Sequence, residues 1–481
     1  MNRSIRNMFL TVAGGFVLLM GMLGYWQVVA SGSLGDRADN PYTQEHQREV
    51  DRGRIISADG VTLALSRPVR VKGKREFQRV YPQGGLAPHV IGYASPERGA
   101  TGLEAEYNRY LAGSYGTEPL LQRLRLREKR GADVHITLDT RVQQQAVSSL
   151  GARPGAVVAI NPKTGAVLAI ASAPTFDLND VAKDFKSITD QENAPLLDRG
   201  TAGRYPPGST FKVVTTTAAL ATGLYTPDSV FDDKGKFVVA GRAITNSGGV
   251  VYGEHDLTLA LTKSINTTFA QIGDKLGAVR LGAEMTDYGF ARRPGIDLPD
   301  GEVVVSGRYR DGRLLPNDQR DEDAARIAIG QENLQVSPLQ MAMVASGVAN
   351  NGRVMRPYLM TRVLDRGGNV IRQQKPERAD LASNGTIAQQ VNQMMQRVVE
   401  EGTGTAAALS GLQVAGKTGT AETDDPERNQ AWFIGFAPAD DPQVAVAVVV
   451  ENTSGTGGSE AAPIAANVMR AALDAQGSAN P

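Results

Sequence analysis

The sequence predicts an α+β protein held to a membrane by a single N-terminal helix. Three observations point that way. Met8 to Val29 is a run of 22 residues without a charge; at about 33 Å as a helix it matches the hydrocarbon core of a bilayer. Two pairs of apolar segments, Ala156–Ile160 with Ala166–Ile170 and Ala431–Ala437 with Val444–Val450, are each joined by a short turn, which favours antiparallel strands. With a further strand around Lys417 these make about five. The intervening helical patterns, from Ser209 to about Gln396, would cover the faces of that sheet.

In chain order, residues 1–7 read as a cytoplasmic tail and 8–30 as the anchor. Arg3 and Arg6 precede the apolar run and mixed charges follow from Asp36, so the bulk is expected outside the cytoplasm. Val28 and Ala30 would suit a signal peptidase, but the run is longer than the ~7–15 apolar residues of a cleaved signal, which favours an uncleaved anchor. Residues 31–139 are expected to form an elongated pedestal without chemistry of its own. It opens with a strand–turn–strand, Arg52 to Ala64, and continues with short strands through Arg70 to Tyr81, then His89–Tyr93 and Gly102–Leu111. It ends near Val134–Asp139. The Leu120–Lys129 patch reads as a solvated face. The main domain, 140–476, begins with a helix from Thr140 to Leu150, contains a second from Val213 to Leu220 ended near Gly223, and closes with an apolar helix from Ala461 to Ala475. Residues 477–481 are a polar tail.

Composition narrows the function. Basic and acidic residues balance at 51 each with no long single-sign block, so nothing points to nucleic acid. Cysteine is absent, which removes thiol nucleophiles and disulfides. His46, His89, His135 and His255 are the four histidines. None is spaced as a metal pair or sits near a nucleophile motif, so each reads as a packing or surface residue and no metal site is expected.

The chemistry lies in three short motifs. Ser209 and Lys212, in Tyr205-Pro-Pro-Gly-Ser-Thr-Phe-Lys212, form the only Ser-x-x-Lys in the chain. On a helix, positions three apart share a face, so a neutral Lys212 amine could take the Ser209 proton without a histidine. The N-terminal helix dipole favours negative charge developing there. By itself this pattern could equally be a helix start with a surface lysine. Two later motifs change the balance: Ser264-Ile-Asn266, and Lys417-Thr418-Gly419 followed by Thr420.

Each later motif has decoys. Ser478-Ala-Asn480 lies in the tail. Lys163-Thr-Gly165 sits between two apolar strands after Asn161-Pro162 and reads as a hairpin turn. Gly411 to Thr418 fits the phosphate-loop spacing, but a strand-like interior and a polar following loop deny it the strand-before, helix-after context that loop requires. Gly402 to Ala407 fits a dinucleotide fingerprint, yet follows a helical pattern (Val391 to Glu401) rather than a strand.

Taken together, these motifs resemble those of the class B penicillin-binding proteins, D,D-transpeptidases of cell-wall synthesis, and most closely the actinobacterial penicillin-binding protein A group. The resemblance rests on Tyr205–Lys212, Lys263-Ser-Ile-Asn266, Gly402-Thr-Gly404, Ala415-Gly-Lys-Thr-Gly-Thr-Ala-Glu422 and Ala431-Trp-Phe-Ile-Gly-Phe-Ala437 in that order, and Arg52-Gly53 with Asp59-Gly60 resembles the juxtamembrane start of the family's pedestal. It implies a penicillin-binding/β-lactamase-like transpeptidase domain behind the anchor and pedestal. Catalytic roles are implied for Ser209, Lys212, Ser264, Asn266 and Lys417, and substrate binding for Thr418, Gly419 and Thr420. Peptidoglycan stem peptides would be the substrate and β-lactams dead-end acylating agents. No cofactor is implied, and a SEDS-type glycan polymerase would be the membrane partner. The resemblance places the enzyme on the cell membrane, single-pass, with its catalytic domain outside. Between Asn266 and Lys417 no Glu-x-x-x-Asn of the deacylating class A β-lactamase kind occurs; Glu284 and Glu332 lack that asparagine. A long-lived acyl-enzyme awaiting an amine is therefore expected. A D,D-carboxypeptidase, a β-lactam sensor and a non-catalytic scaffold are the alternatives.

Overall fold

The computed structural model describes residues 3–25, 48–71, 73–115, 130–320, 323–421 and 428–477. The last part of the expected anchor (26–30), the Leu120–Lys129 patch, His46, Glu422 and the Ser478–Asn480 decoy lie outside these residues. The Arg3–Gly24 helix buries none of its side chains; it presents Phe9, Phe16 and Leu18 outward and is long and apolar enough to cross a membrane.

The pedestal is built on a six-stranded sheet in the order Val370–Gln373, Met360–Leu364, Asp133–Ile136, Ile55–Ile56, Thr62–Val71, Lys74–Val80. Four of these strands fall within the predicted pedestal. The other two come from far downstream: Met360 pairs with Ile136 and Val363 with Val134, so the main domain lends a hairpin to the pedestal. The start of the pedestal is tied down by a buried ion triad. Arg52 Nη2 and Arg79 Nε reach the two Glu104 carboxylate oxygens at 2.6 and 2.5 Å. Burial alone pushes Glu104 up, but the two guanidiniums outweigh it and hold its carboxyl below the usual range.

The expected short strands at His89–Tyr93 and Gly102–Leu111 are instead helical turns, Pro88–Ile91, Gly102–Glu106 and Asn108–Leu111. Pro88 occupies the first helical position, and Gly92 at φ 69 ends the turn, the proline-in, glycine-out asymmetry of a helix. All four residues of that turn are buried, so the run carries no alternation that separates strand from helix.

The main domain is a five-stranded antiparallel sheet in the order Ala415–Ala421, Asn429–Ala437, Val444–Thr453, Gly155–Ile160, Val167–Ala173. Its central strands are buried on both faces, and the period of two divides them between two cores. Val446 and Val448 pack with Val142, Val468 and Met469 under the Thr140–Leu150 and Ala462–Gly477 helices. Ala447 and Val449 face the Pro338–Ala349 helix through Leu339 and Met341. Each fully buried aliphatic side chain contributes roughly 1.5–3 kcal/mol, so the sheet is a stiff platform, and the Lys417 strand forms its edge.

Candidate active site

The nucleophile turn is held at several points. Tyr205 and Val336 exchange backbone hydrogen bonds at 3.0 and 2.8 Å. The Tyr205 hydroxyl donates to Glu451 Oε1 at 2.5 Å, and the same oxygen accepts from Arg199 Nε at 2.8 Å. Trp432 Nε1 donates to Pro206 O at 3.1 Å. Gly208 N–H reaches Gly330 O at 3.0 Å, and a Cβ on Gly330 (φ 77) would lie 1.9 Å from Gly208 O. No side chain fits there.

Gly208–Phe211 is a 3₁₀ turn that leads into the Lys212–Ala221 α-helix, where the sequence predicted helix from Ser209 onward. The difference is useful, because three residues per turn eclipse positions i and i+3 and align Ser209 with Lys212 more closely than an α-turn does.

Lys212 is fully buried. Its Nζ lies 2.8 Å from Ser264 O, 2.7 Å from Asn266 Oδ1 and 3.3 Å from Ser264 Oγ. Asn266 Nδ2 donates to Thr245 O at 3.0 Å, which turns the amide oxygen towards the lysine. Ser264 caps the Leu257–Lys263 helix in the left-handed region at φ 61, and Asn266 opens the Asn266–Asp287 helix. A sharp left-handed corner between two helices thus aims both motif side chains at Lys212.

Lys417 enters from the sheet edge. It too is fully buried, and its Nζ donates to Ser264 Oγ at 3.0 Å and to Thr418 O at 2.9 Å. Burial pushes Lys417 down to about 7. Lys212 is pushed well below the ordinary lysine range by burial and then by the neighbouring Lys417 charge. Gly419 brings this strand against the nucleophile turn: a Cβ there would lie 2.9 Å from Pro207 O and 3.1 Å from Thr210 N.

Above these groups opens a cleft of about 620 Å³. Ser209, Ser264, Asn266, Thr418, Gly419 and Thr420 line it, while Lys212 and Lys417 lie beneath. All eight residues singled out in the sequence converge on one place. The Lys163 decoy lies in the turn between Gly155–Ile160 and Val167–Ala173 and pairs with Asp441 at 2.5 Å. The Gly411–Thr418 stretch runs into a strand. His89 and His255 are buried, each with a hydrogen bond to a protein oxygen. Glu284 is buried in its helix and is not among the lining residues.

Other lining residues were given no site role in the sequence. Thr403, in the Gly402–Gly404 turn, shares a 2.5 Å hydrogen bond with Thr418, and Gly457 N–H donates to Thr420 Oγ1 at 3.3 Å. Arg242 and Glu332 face each other across the rim. Thr403 lies within the Gly402-Thr-Gly404 motif that carries part of the resemblance, whereas nothing local marks Arg242 or gives Glu332 a role.

Comparison with known proteins agrees with this geometry. Residues 155–470 match the penicillin binding protein transpeptidase domain, and residues 52–134 match the penicillin binding protein A dimerisation domain. The chain is 36% identical to the peptidoglycan D,D-transpeptidase PbpA of Mycolicibacterium smegmatis, over 98% of this chain and 99% of that protein. The D,D-transpeptidase domain of a peptidoglycan glycosyltransferase from Eggerthella lenta superposes with a TM-score of 0.79 at 36% identity, over 89% of this chain and 99% of that one. The penicillin G acyl-enzyme complex of penicillin-binding protein A from Mycobacterium tuberculosis superposes with a TM-score of 0.78 at 33% identity, over 88% and 99%. With its three motifs gathered in one cleft and these likenesses along nearly its whole length, the chain belongs to the penicillin-binding protein transpeptidase family.

Proposed function

We propose that the chain is a serine D,D-transpeptidase that cross-links peptidoglycan stem peptides through an acyl-enzyme on Ser209, and that β-lactams acylate the same oxygen. The observation that carries this reading is the convergence of two buried lysines on Ser264 Oγ, at 3.0 and 3.3 Å, next to the serine turn. A neutral Lys212 has two N–H bonds, matched by Ser264 O and Asn266 Oδ1, and one lone pair left to take a hydroxyl proton.

Ser209 Oγ attacks the carbonyl of the penultimate D-alanine while Lys212 takes its proton, assistance worth about 10²–10⁴-fold. Ser264 Oγ, bonded to Lys417 and close to Lys212, relays a proton to the departing D-alanine amine. Backbone N–H groups of Ser209 and Thr420 would hold the oxyanion, each such donor worth about 3–4 kcal/mol. Thr418 and Thr420 hydroxyls beside Lys417 suit the terminal carboxylate, the Asn266 amide the substrate backbone, and the edge strand with Gly419 an extended peptide added to the sheet. An amine of a neighbouring stem peptide then displaces Ser209.

The same reading divides the chain into a cytoplasmic tail, an anchor ending by residue 30, a pedestal over 31–139 completed by the 360–373 hairpin, and a transpeptidase domain over 140–476. It puts the catalytic domain outside the cell membrane, since Arg3 and Arg6 flank the anchor's first end. A SEDS-type glycan polymerase, contacted through anchor and pedestal, is the membrane partner this reading favours.

Membranes carrying the wild-type chain should label covalently with a fluorescent penicillin, and a Ser209→Ala chain should not. Labelling that survives the substitution refutes Ser209 as nucleophile.

A further inference from the structure

Among the described residues lining the cleft, Glu332 is the single carboxylate, against the cations Arg242, Lys263 and Arg326. Its backbone stands at φ 64, a conformation that favours glycine and that a glutamate adopts at a cost. Its position relative to the nucleophile is fixed, because two residues earlier Gly330 is locked against Gly208. Its one ionic contact among the described residues is loose: Arg242 Nη2 lies 3.4 and 3.3 Å from the two Glu332 oxygens and also 3.6 Å from Asp323. Asp323 already has Arg326 as a close partner. Arg242 is 60% exposed and adjoins the turn of a two-stranded hairpin, Lys236–Val239 with Arg242–Thr245, a unit of low intrinsic stability.

From these observations we infer that Glu332 is a specificity-determining residue for the second half-reaction: its carboxylate receives the cationic amino group of the acceptor, which displaces Arg242. The inference rests on the transpeptidase reading above. The cations Arg242, Lys263 and Arg326 repel an ammonium, so an amine acceptor needs a negative group in the cleft, and Glu332 is the one that the described lining residues offer. Bound there, the ammonium loses one proton to solvent. The neutral nitrogen forms a C–N bond to the acyl carbon as the Ser209 ester C–O bond breaks, and a second proton passes from nitrogen to Ser209 Oγ. Glu332 takes no part in forming the acyl-enzyme.

The test uses the full-length, detergent-solubilised protein, a thioester donor ending in D-alanine, and an acceptor peptide with a free side-chain amine. The ratio of aminolysis to hydrolysis is measured, with active sites counted by penicillin labelling. Glu332→Gln should lower this ratio about tenfold with a raised acceptor KM. Glu332→Asp should restore most of it, and Arg242→Ala, which removes the competing cation, should raise it. If Glu332→Gln does not fold, Glu332→Gly, suited to the backbone angle, replaces it. An unchanged ratio overturns the inference. So does a parallel fall in hydrolysis, which would make Glu332 a base for water, or a fall in Arg242→Ala as large as in Glu332→Gln, which would make the pair structural. A wild-type chain that accepts the amine with a ratio indifferent to Glu332 overturns this inference alone, whereas one that does not label, or that labels at Ser209 but accepts no amine, overturns the transpeptidase reading.

Discussion

Lys212 and Lys417, which come from a helix and from a sheet edge, share one hydroxyl: Ser264 Oγ lies 3.3 Å from the first Nζ and 3.0 Å from the second. Two ammonium groups around one oxygen repel, so each lysine gives up its proton more readily than a free lysine does. Burial acts on both lysines, and the charge of Lys417 acts on Lys212 in addition. The lowered Lys212 pKa is thus a consequence of burial first, with the charge of the second lysine adding to it.

Replacing Lys417 by Met should therefore move the acid limb of penicillin acylation. Without the neighbouring charge, the Lys212 pKa rises. Because the neutral amine is the active form, the limb shifts to higher pH and the rate at neutral pH falls. The pH profile of the second-order acylation constant measures this, and a limb that stays in place assigns it to another group.

Ser264 at φ 61 carries backbone strain of roughly 1–2 kcal/mol for a residue with a Cβ. Ser264→Gly should keep or raise the melting temperature, yet slow acylation about 10²-fold because the hydroxyl between the lysines is lost. Ser264→Ala, which keeps the strain, should be equally slow without the gain in stability. Calorimetry beside acylation kinetics separates strain from chemistry. A fast Ser264→Ala chain rules out a proton relay through this oxygen.

Gly330→Ala puts a Cβ where Gly208 O stands, at 1.9 Å, so the Gly208–Ser209 backbone must move or the contact must open. A loss of about 2 kcal/mol or more and an acylation rate reduced at least about tenfold are expected. Normal acylation in a folded Gly330→Ala chain would show that this contact does not position the nucleophile.

Glu302 ties the body to the pedestal, accepting from Gly102 N–H at 3.0 and 3.1 Å. Burial pushes its carboxyl up to about 6 despite that hydrogen bond, with Asp198 and Glu106 adding to the rise. A carboxyl raised on folding binds more protons in the folded than in the unfolded chain between about 4.5 and 6, so stability falls as pH rises through that window. Glu302→Gln should therefore be more stable than the wild type at pH 8 by about 1 kcal/mol, a figure reduced for the partial exposure of the group. The advantage should vanish below about pH 4.5. Urea unfolding at the two pH values tests it; equal differences at both would mean that the carboxyl is not shifted.

Much of the site was legible in the sequence, because each motif is a local arrangement: Ser209 and Lys212 three apart at a helix start, Ser264 and Asn266 around a helix junction, Lys417 to Thr420 along one strand. The five strands were legible for a related reason. Residues such as Val444 to Val450 must alternate between two cores whatever lies beyond, and a short turn leaves adjacent strands little choice but to pair. The site roles of Arg242 and Glu332 were not legible, since a single residue on a loop has no periodicity and owes its meaning to what faces it.

The order of motifs along the chain, the anchor and the sheet were thus determined by the sequence alone, through hydrophobic period and residue type. Only the tertiary structure decided that both lysines are buried around one hydroxyl, which carboxylate lines the cleft, and that the 360–373 hairpin completes the pedestal sheet. These depend on desolvation and on pairing between segments hundreds of residues apart, and such energies exist only once the chain has closed on itself.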